Sequence, residues 1–128
     1  MNKLIIDATK NEIFLMIMNK DINYSITYEN TKTNYEKLII LISDFLNSKN
    51  LKIKDISRLY INTGPGSFAG IRNSLSVTKA ICLAYNVDYY GYSFQYFKGI
   101  KEVKYENIPN LCDKFNVKKN LINPIYIS

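Results

Sequence analysis

Residues 64–72, Gly-Pro-Gly-Ser-Phe-Ala-Gly-Ile-Arg, constrain this chain more than any other stretch. An apolar run, Leu59-Tyr60-Ile61, precedes them, and an apolar-periodic segment follows as far as Tyr85. The order imposed is strand, tight glycine turn, helix. Gly64 and Gly66 permit positive φ or close backbone approach, and Pro65 fixes the turn between them. Ser67 is suited to cap the helix, its hydroxyl accepting an orphan amide of the first turn. Free amides at a helix N-terminus suit an anion, so a phosphate site is physically open here.

The segments around this junction read as an α/β lobe. Leu4-Ile5-Ile6, Ile13–Met18 and Ile22–Tyr28 are strands, with a hairpin turn at Asn19-Lys20-Asp21. Thr31–Asn34 reads as a polar loop and Tyr35–Lys49 as one helix. Asp55 starts a short turn, Arg58–Thr63 is a fourth strand, Phe68–Tyr85 the second helix and Val87–Tyr92 a fifth strand. Beyond Ser93 the pattern weakens. Ser93–Phe97 reads as one helical turn, Gly99–Asn107 has no period, and Ile108–Phe115 is a short helix with Pro109 in its first turn. Asn123–Ile127 reads as extended.

At about 100° per residue, Phe68, Ile71, Leu75 and Cys82 share one face of the second helix. Gly70, Ser74, Val77, Ile81 and Ala84 share another, and its small residues would let a further helix approach closely. On the first helix Tyr35, Leu38, Ile39, Leu41, Ile42, Phe45 and Leu46 span a wide arc, with Ile40 alone on the polar side. A second apolar face needs its own cover, from the chain itself or from a partner. The expected partner-binding set is Ile40, Leu41, Gly70, Ser74, Val77, Ile81 and Ala84.

Composition narrows the chemistry. The chain has no histidine, the commonest general base and metal ligand. Ser67 therefore has no evident activating base, and capping is the better reading of it. Arg72, one turn into the helix, could grip an anion, pair with a partner carboxylate, or lie solvated. Asp7, Asp44 and Asp55 have no spacing that brings them together. No catalytic residue, metal site or cofactor is expected. The net charge of +6 is carried almost wholly by scattered lysines, with Arg58 and Arg72 the only arginines, which fits a lysine-rich composition better than base reading. Eleven tyrosines, four of them at 89, 90, 92 and 96, reflect the same bias together with strand propensity. Cys82 and Cys112 are far apart, as in a reduced cytosol. The longest apolar runs are six residues, such as Ile13–Met18, and Leu38–Ile42 is five; Asp7 follows the first apolar run at once, so neither a membrane span nor a signal peptide is expected. A cytoplasmic location follows.

Gly64-Pro65-Gly66-Ser67-Phe68 and Gly70-Ile71-Arg72 closely resemble the signature loop of the TsaB (YeaZ-like) family. Gly91-Tyr92-Ser93-Phe94 resembles that family's Gly-x-Ser-Thr, and Pro124-Ile125-Tyr126-Ile127 its Pro-x-Tyr-Leu. The resemblance implies a ribonuclease-H-like lobe of the actin-like ATPase superfamily, with a mixed five-stranded sheet. It places that lobe at residues 1–97. About thirty residues stand where members carry a second lobe, so residues 98–128 read as a shortened remnant ending in an extended segment. Asp7-Ala8-Thr9 lies where related ATPases hold phosphate. With Ala8 in the middle and no glycine after it, Asp7 and Thr9 read as a vestigial phosphate loop, Asp7 capping the turn. Asn34-Tyr35 stands where members often have His-Ser.

The function the resemblance implies is a non-catalytic scaffold. It would bind and activate a TsaD-like catalytic subunit, which modifies the adenosine beside the tRNA anticodon with a threonylcarbamoyl group. A TsaE-like ATPase would join the assembly, tRNA would be met only indirectly, and a homodimer is plausible when the partner is absent. A small nucleotide-binding enzyme of the actin-like superfamily, a basic tRNA-binding module and a decaying paralog stay open beside it.

Overall fold

Two-residue alternation with apolar residues at nearly every position makes strands that are buried on both faces, and such strands sit in the middle of a sheet. The computed structural model describes residues 1–122 and 124–127. Its five-stranded sheet is built from β1 (Asn2–Asp7), β2 (Glu12–Asn19), β3 (Ile22–Glu29), β4 (Ile56–Asn62) and, after the two-residue β5 (Gly66–Ser67), β6 (Asp88–Tyr92). The order is β3-β2-β1-β4-β6. β2 pairs antiparallel with β1 and β3, while β4 pairs parallel with β1 and β6. This is the mixed five-stranded α/β sheet expected. β2 and β3 meet across the two-residue loop Lys20-Asp21, with Lys20 at φ 56°.

The helices are α1 (Lys32–Glu36), α2 (Leu38–Asn47), α3 (Phe68–Tyr85) and α4 (Ile108–Lys114). α3 has the span expected. It starts at the Ser67 cap and ends where Asn86 turns left-handed at φ 55°. The single helix expected over 35–49 is instead two. Thr31 caps α1 through its side chain, so the helix begins inside the stretch read as a loop. Lys37, at φ −111° and ψ 28°, then breaks it, and α2 starts at Leu38. The reason is tertiary: the Asn34 side chain donates to the Glu29 carbonyl at 2.9 Å and pins α1 to the end of β3, while Leu38, Leu41, Ile42, Phe45 and Leu46 of α2 are all buried.

The sheet is covered on both sides by different chemistry. One side is aliphatic: Leu4, Ile6, Leu15, Ile17, Leu59 and Ile61 meet α2 and α3. The other is rich in aromatic rings: Ile5, Met16, Tyr60 and Tyr92 meet Phe97, Ile108, Leu111 and Cys112, with Phe14, Phe94, Tyr105 and Phe115 packed around them. The segment after Phe97 thus forms the second layer, through short 3₁₀ turns at Phe94–Tyr96 and Tyr105–Asn107 and then α4. At its far end β7 (Tyr126–Ile127) pairs parallel with β5, in keeping with the extended segment expected; Asn123 lies outside the described residues. Among the described residues, no helix is long and apolar enough to cross a membrane.

Candidate functional site

The glycine loop is tied on two sides by its own chain. Thr63 donates its amide and its hydroxyl to the Tyr92 carbonyl, at 2.8 and 3.0 Å, and its carbonyl accepts the Ile125 amide at 2.7 Å. Gly64 has φ +114°, and a Cβ there would run into the Ile125 carbonyl oxygen; only glycine satisfies both demands. Gly70 lies against the Ala8 carbonyl with the same consequence for any side chain. The Ser67 amide, one of the free groups that could have faced an anion, donates to the Thr9 carbonyl at 3.0 Å. The Ser67 hydroxyl accepts the Gly70 amide at 3.5 Å. The loop therefore packs the start of α3 against the β1–β2 turn. Arg72 is exposed, its guanidinium 6.0 Å from the Phe68 ring.

Asp7, at the end of β1, is 2% exposed. One carboxylate oxygen accepts the Thr9 amide at 2.9 Å and the Thr9 hydroxyl at 2.6 Å. The other accepts the Asn62 side-chain amide at 3.0 Å and the Tyr105 hydroxyl at 2.6 Å. These donors come from the β1–β2 turn, the end of β4 and the segment after Phe97. Tyr105 lies flat on Phe14, ring centres 3.9 Å apart. Burial, the neighbouring Asp7 charge and donation to it push the Tyr105 phenol well above its ordinary value. The carboxylate thus takes a phenol from its own chain as its fourth donor.

Asn62 and Tyr105 were not among the residues anticipated. Asn62 carried a signal, a polar residue closing the apolar run Leu59-Tyr60-Ile61 just before the glycine loop. Tyr105 carried none, because it lies in the stretch without period. Asp44 is exposed on α2, and Asp55 accepts the Lys52 amide at the start of the Ile53–Asp55 turn, so neither joins Asp7. Cys82 and Cys112 are buried free thiols, pushed up to about 11 and about 12 by burial first and by Asp88 and Asp113 second, which leaves them inert.

The helix face proposed for a partner requires correction. Gly70 and Leu41 are buried, Ser74 is 0% exposed and Ile81 2%. They face α1, α2 and the sheet, so the close approach that small residues allow is used within the chain. Val77 is half-buried against the same core. Of the expected set only Ile40, at 54%, and Ala84 are exposed; Ile39, Leu83 (88%), Phe68 and Tyr85 join them as outward apolar residues. Tyr85 and the α2 residues Ser43 and Asn47 line one shallow groove, so the outer sides of α2 and the end of α3 are neighbours.

The chain's likeness to known proteins follows this architecture. It is 26% identical over 90 residues to the tRNA threonylcarbamoyladenosine biosynthesis protein TsaB of Buchnera aphidicola subsp. Schizaphis graminum, covering 70% of this chain and 43% of that one. It is 26% identical over 125 residues to the uncharacterized protein MG208 of Mycoplasma genitalium, covering 89% and 63%. The chain thus spans about two-fifths of the length of the curated TsaB relative. Among solved structures, YeaZ from Pseudomonas aeruginosa superimposes with a TM-score of 0.66 at 16% identity, over 72% of this chain and 43% of that one. Thermus thermophilus RuvC superimposes with a TM-score of 0.51 at 9% identity, over 98% and 86%. These two establish the fold, of the ribonuclease-H-like, actin-like kind. The family model described as TsaD, tRNA N6-adenosine threonylcarbamoyltransferase, matches residues 26–93, from β3 through the glycine loop and α3 to the end of β6. With just over half of its length inside that match, the chain belongs to this family, and its likeness to TsaB and YeaZ makes it a TsaB-like member.

Proposed function

We propose that this chain serves tRNA threonylcarbamoyladenosine biosynthesis as a non-catalytic scaffold that binds and activates a TsaD-like subunit. The observation that carries the reading is the state of Asp7. A carboxylate whose oxygens already take four donors, one of them a phenol from its own chain, has nothing left with which to orient metal or phosphate. The Ser67 amide is likewise spent on the Thr9 carbonyl. What the chain offers outward is apolar helix surface: Ile39 and Ile40 on α2, and Leu83, Ala84 and Tyr85 on α3. Such surface is suited to a partner helix pair. The partner would supply the chemistry, and binding would act by favouring its competent conformation. A TsaE-like ATPase and tRNA would reach the assembly through that partner.

The test is co-purification with the TsaD-like protein of the same genome, followed by sizing, with Ile40→Arg alongside. A one-to-one complex that Ile40→Arg abolishes is expected. A folded chain that forms no complex refutes the scaffold reading, and ATP turnover by the chain alone would establish the rival nucleotide-binding enzyme.

A further inference from the structure

The two edges of the sheet are treated differently. The β6 edge is closed: Asn120 donates to the Tyr89 carbonyl at 2.7 Å, its side-chain oxygen accepts the Tyr89 amide at 3.1 Å, and Tyr90 bridges to Lys119. The β3 edge is open, for among the described residues no segment pairs with its outer side. An exposed edge is ordinarily blunted by proline, an inward charge, a bulge or shortness. β3 has none of these. It runs eight residues in unbroken register with β2, and Ile22–Tyr28 contains no charge and no proline.

Which backbone groups face outward follows from the hairpin. In a two-residue turn the flanking pair, Asn19 and Ile22, exchanges hydrogen bonds, so the even-numbered residues of β3 bond to β2. The Asn30 amide, donating to the Asn11 carbonyl at 2.9 Å, keeps that parity. Asn23, Ser25, Thr27 and Glu29 point away. The Glu29 carbonyl is already held by the Asn34 side chain, which limits a free ladder to the residues before it.

We propose that β3 pairs antiparallel with β3 of a second copy of this chain, about a two-fold axis at Ser25, making one sheet continuous through both copies. This register uses the outward groups of Asn23, Ser25 and Thr27 and leaves the capped Glu29 out. It is self-complementary on both faces. Asn23 meets Thr27 and Ser25 meets Ser25 on one; Ile22 meets Tyr28 and Tyr24 meets Ile26 on the other, which covers the 55%-exposed Ile22. The uncharged centre brings no like charges together; Asp21 and Glu29 stand opposite each other only at the two ends, beyond the bonded pairs. The proposal rests on this edge alone and is independent of the scaffold reading.

The full chain should sediment as a concentration-dependent dimer. In the dimer the amides of Asn23, Ser25 and Thr27 should exchange more slowly than in the monomer, while those of Tyr24 and Ile26 stay unchanged. Ser25→Pro removes an N–H that points away from β2, a place where edge strands accept proline. It should give a monomer with the parent's circular dichroism and melting curve. Ser25→Lys, which leaves the backbone intact and sets two lysines opposite each other at the two-fold, should do the same and decides the matter if the proline variant misfolds. Ile40→Arg should remain dimeric. A chain that is monomeric at all concentrations overturns the proposal. So does a dimer that survives Ser25→Lys, or one lost in Ile40→Arg, which would place the contact on the helices.

Discussion

Asp7 receives donors from residues as near as Thr9 and as far as Tyr105. Removing one of them leaves a buried carboxylate short of a partner, which costs more than a neutral hydrogen bond does. Tyr105→Phe keeps the stack on Phe14 and deletes only the hydroxyl, so it should lower stability by about 2 kcal/mol, read by urea unfolding. The same phenol imposes a pH dependence. Its folded value lies above the ordinary 10.0, so beyond about pH 10 the unfolded chain loses this proton while the folded chain retains it. Stability should therefore hold up to about pH 10 and fall above it. The fall should be shallower in Tyr105→Phe by about 1.4 kcal/mol per pH unit. Of this site, the part that depends on neighbours in sequence was legible. Ser67 as a cap and Asp7 beside Thr9 are decided within a few residues. Tyr105 was not, because a side chain that acts across the fold leaves no local period.

The same division holds for elements. α3 could be bounded because Ser67 starts it and Asn86, left-handed, ends it, both by local chemistry. The break at Lys37 has no such marker. It exists because Asn34 is tied to β3 while Leu38 begins a stripe that must lie on the sheet, a conflict visible only in three dimensions. Periodicity likewise found two apolar faces on α3 but could not say that α1 and α2 cover the second. The consequence is measurable. Ile81→Arg places a charge where the side chain is 2% exposed and should abolish cooperative folding, whereas Ile40→Arg, on the open side of α2, should shift the melting midpoint little. Circular dichroism melts of the two variants distinguish a buried face from an outward one.

For the molecule as a whole, the sheet is a partition between an aliphatic layer and an aromatic one. The mixed five-stranded sheet was expected through the family resemblance of the glycine loop, and the observed order β3-β2-β1-β4-β6 agrees with it. The second cover was not, because Gly99–Asn107 has no period, and its Ile100, Val103 and Tyr105 are placed by packing on the cluster of Tyr92 and Phe97. Deleting residues 98–128 should uncover Ile5, Met16, Tyr60 and Tyr92 together. The expected product keeps far-ultraviolet circular dichroism, loses the near-ultraviolet aromatic signal and binds a hydrophobic dye. A rigid, dye-silent fragment would show that the sheet tolerates one bare face.

The Asp7–Tyr105 hydrogen bond joins residues 98 positions apart. On a ribosome adding about 5–20 residues per second, the first strand waits on the order of 5–20 s for the residue that seals it. During that interval the helix-side layer can already form, since its buried members run no further than Val87, while the opposite side of the sheet stays wet and sticky. The chain is thus most vulnerable not when mature but midway through its synthesis, and folding helpers would be needed at that moment.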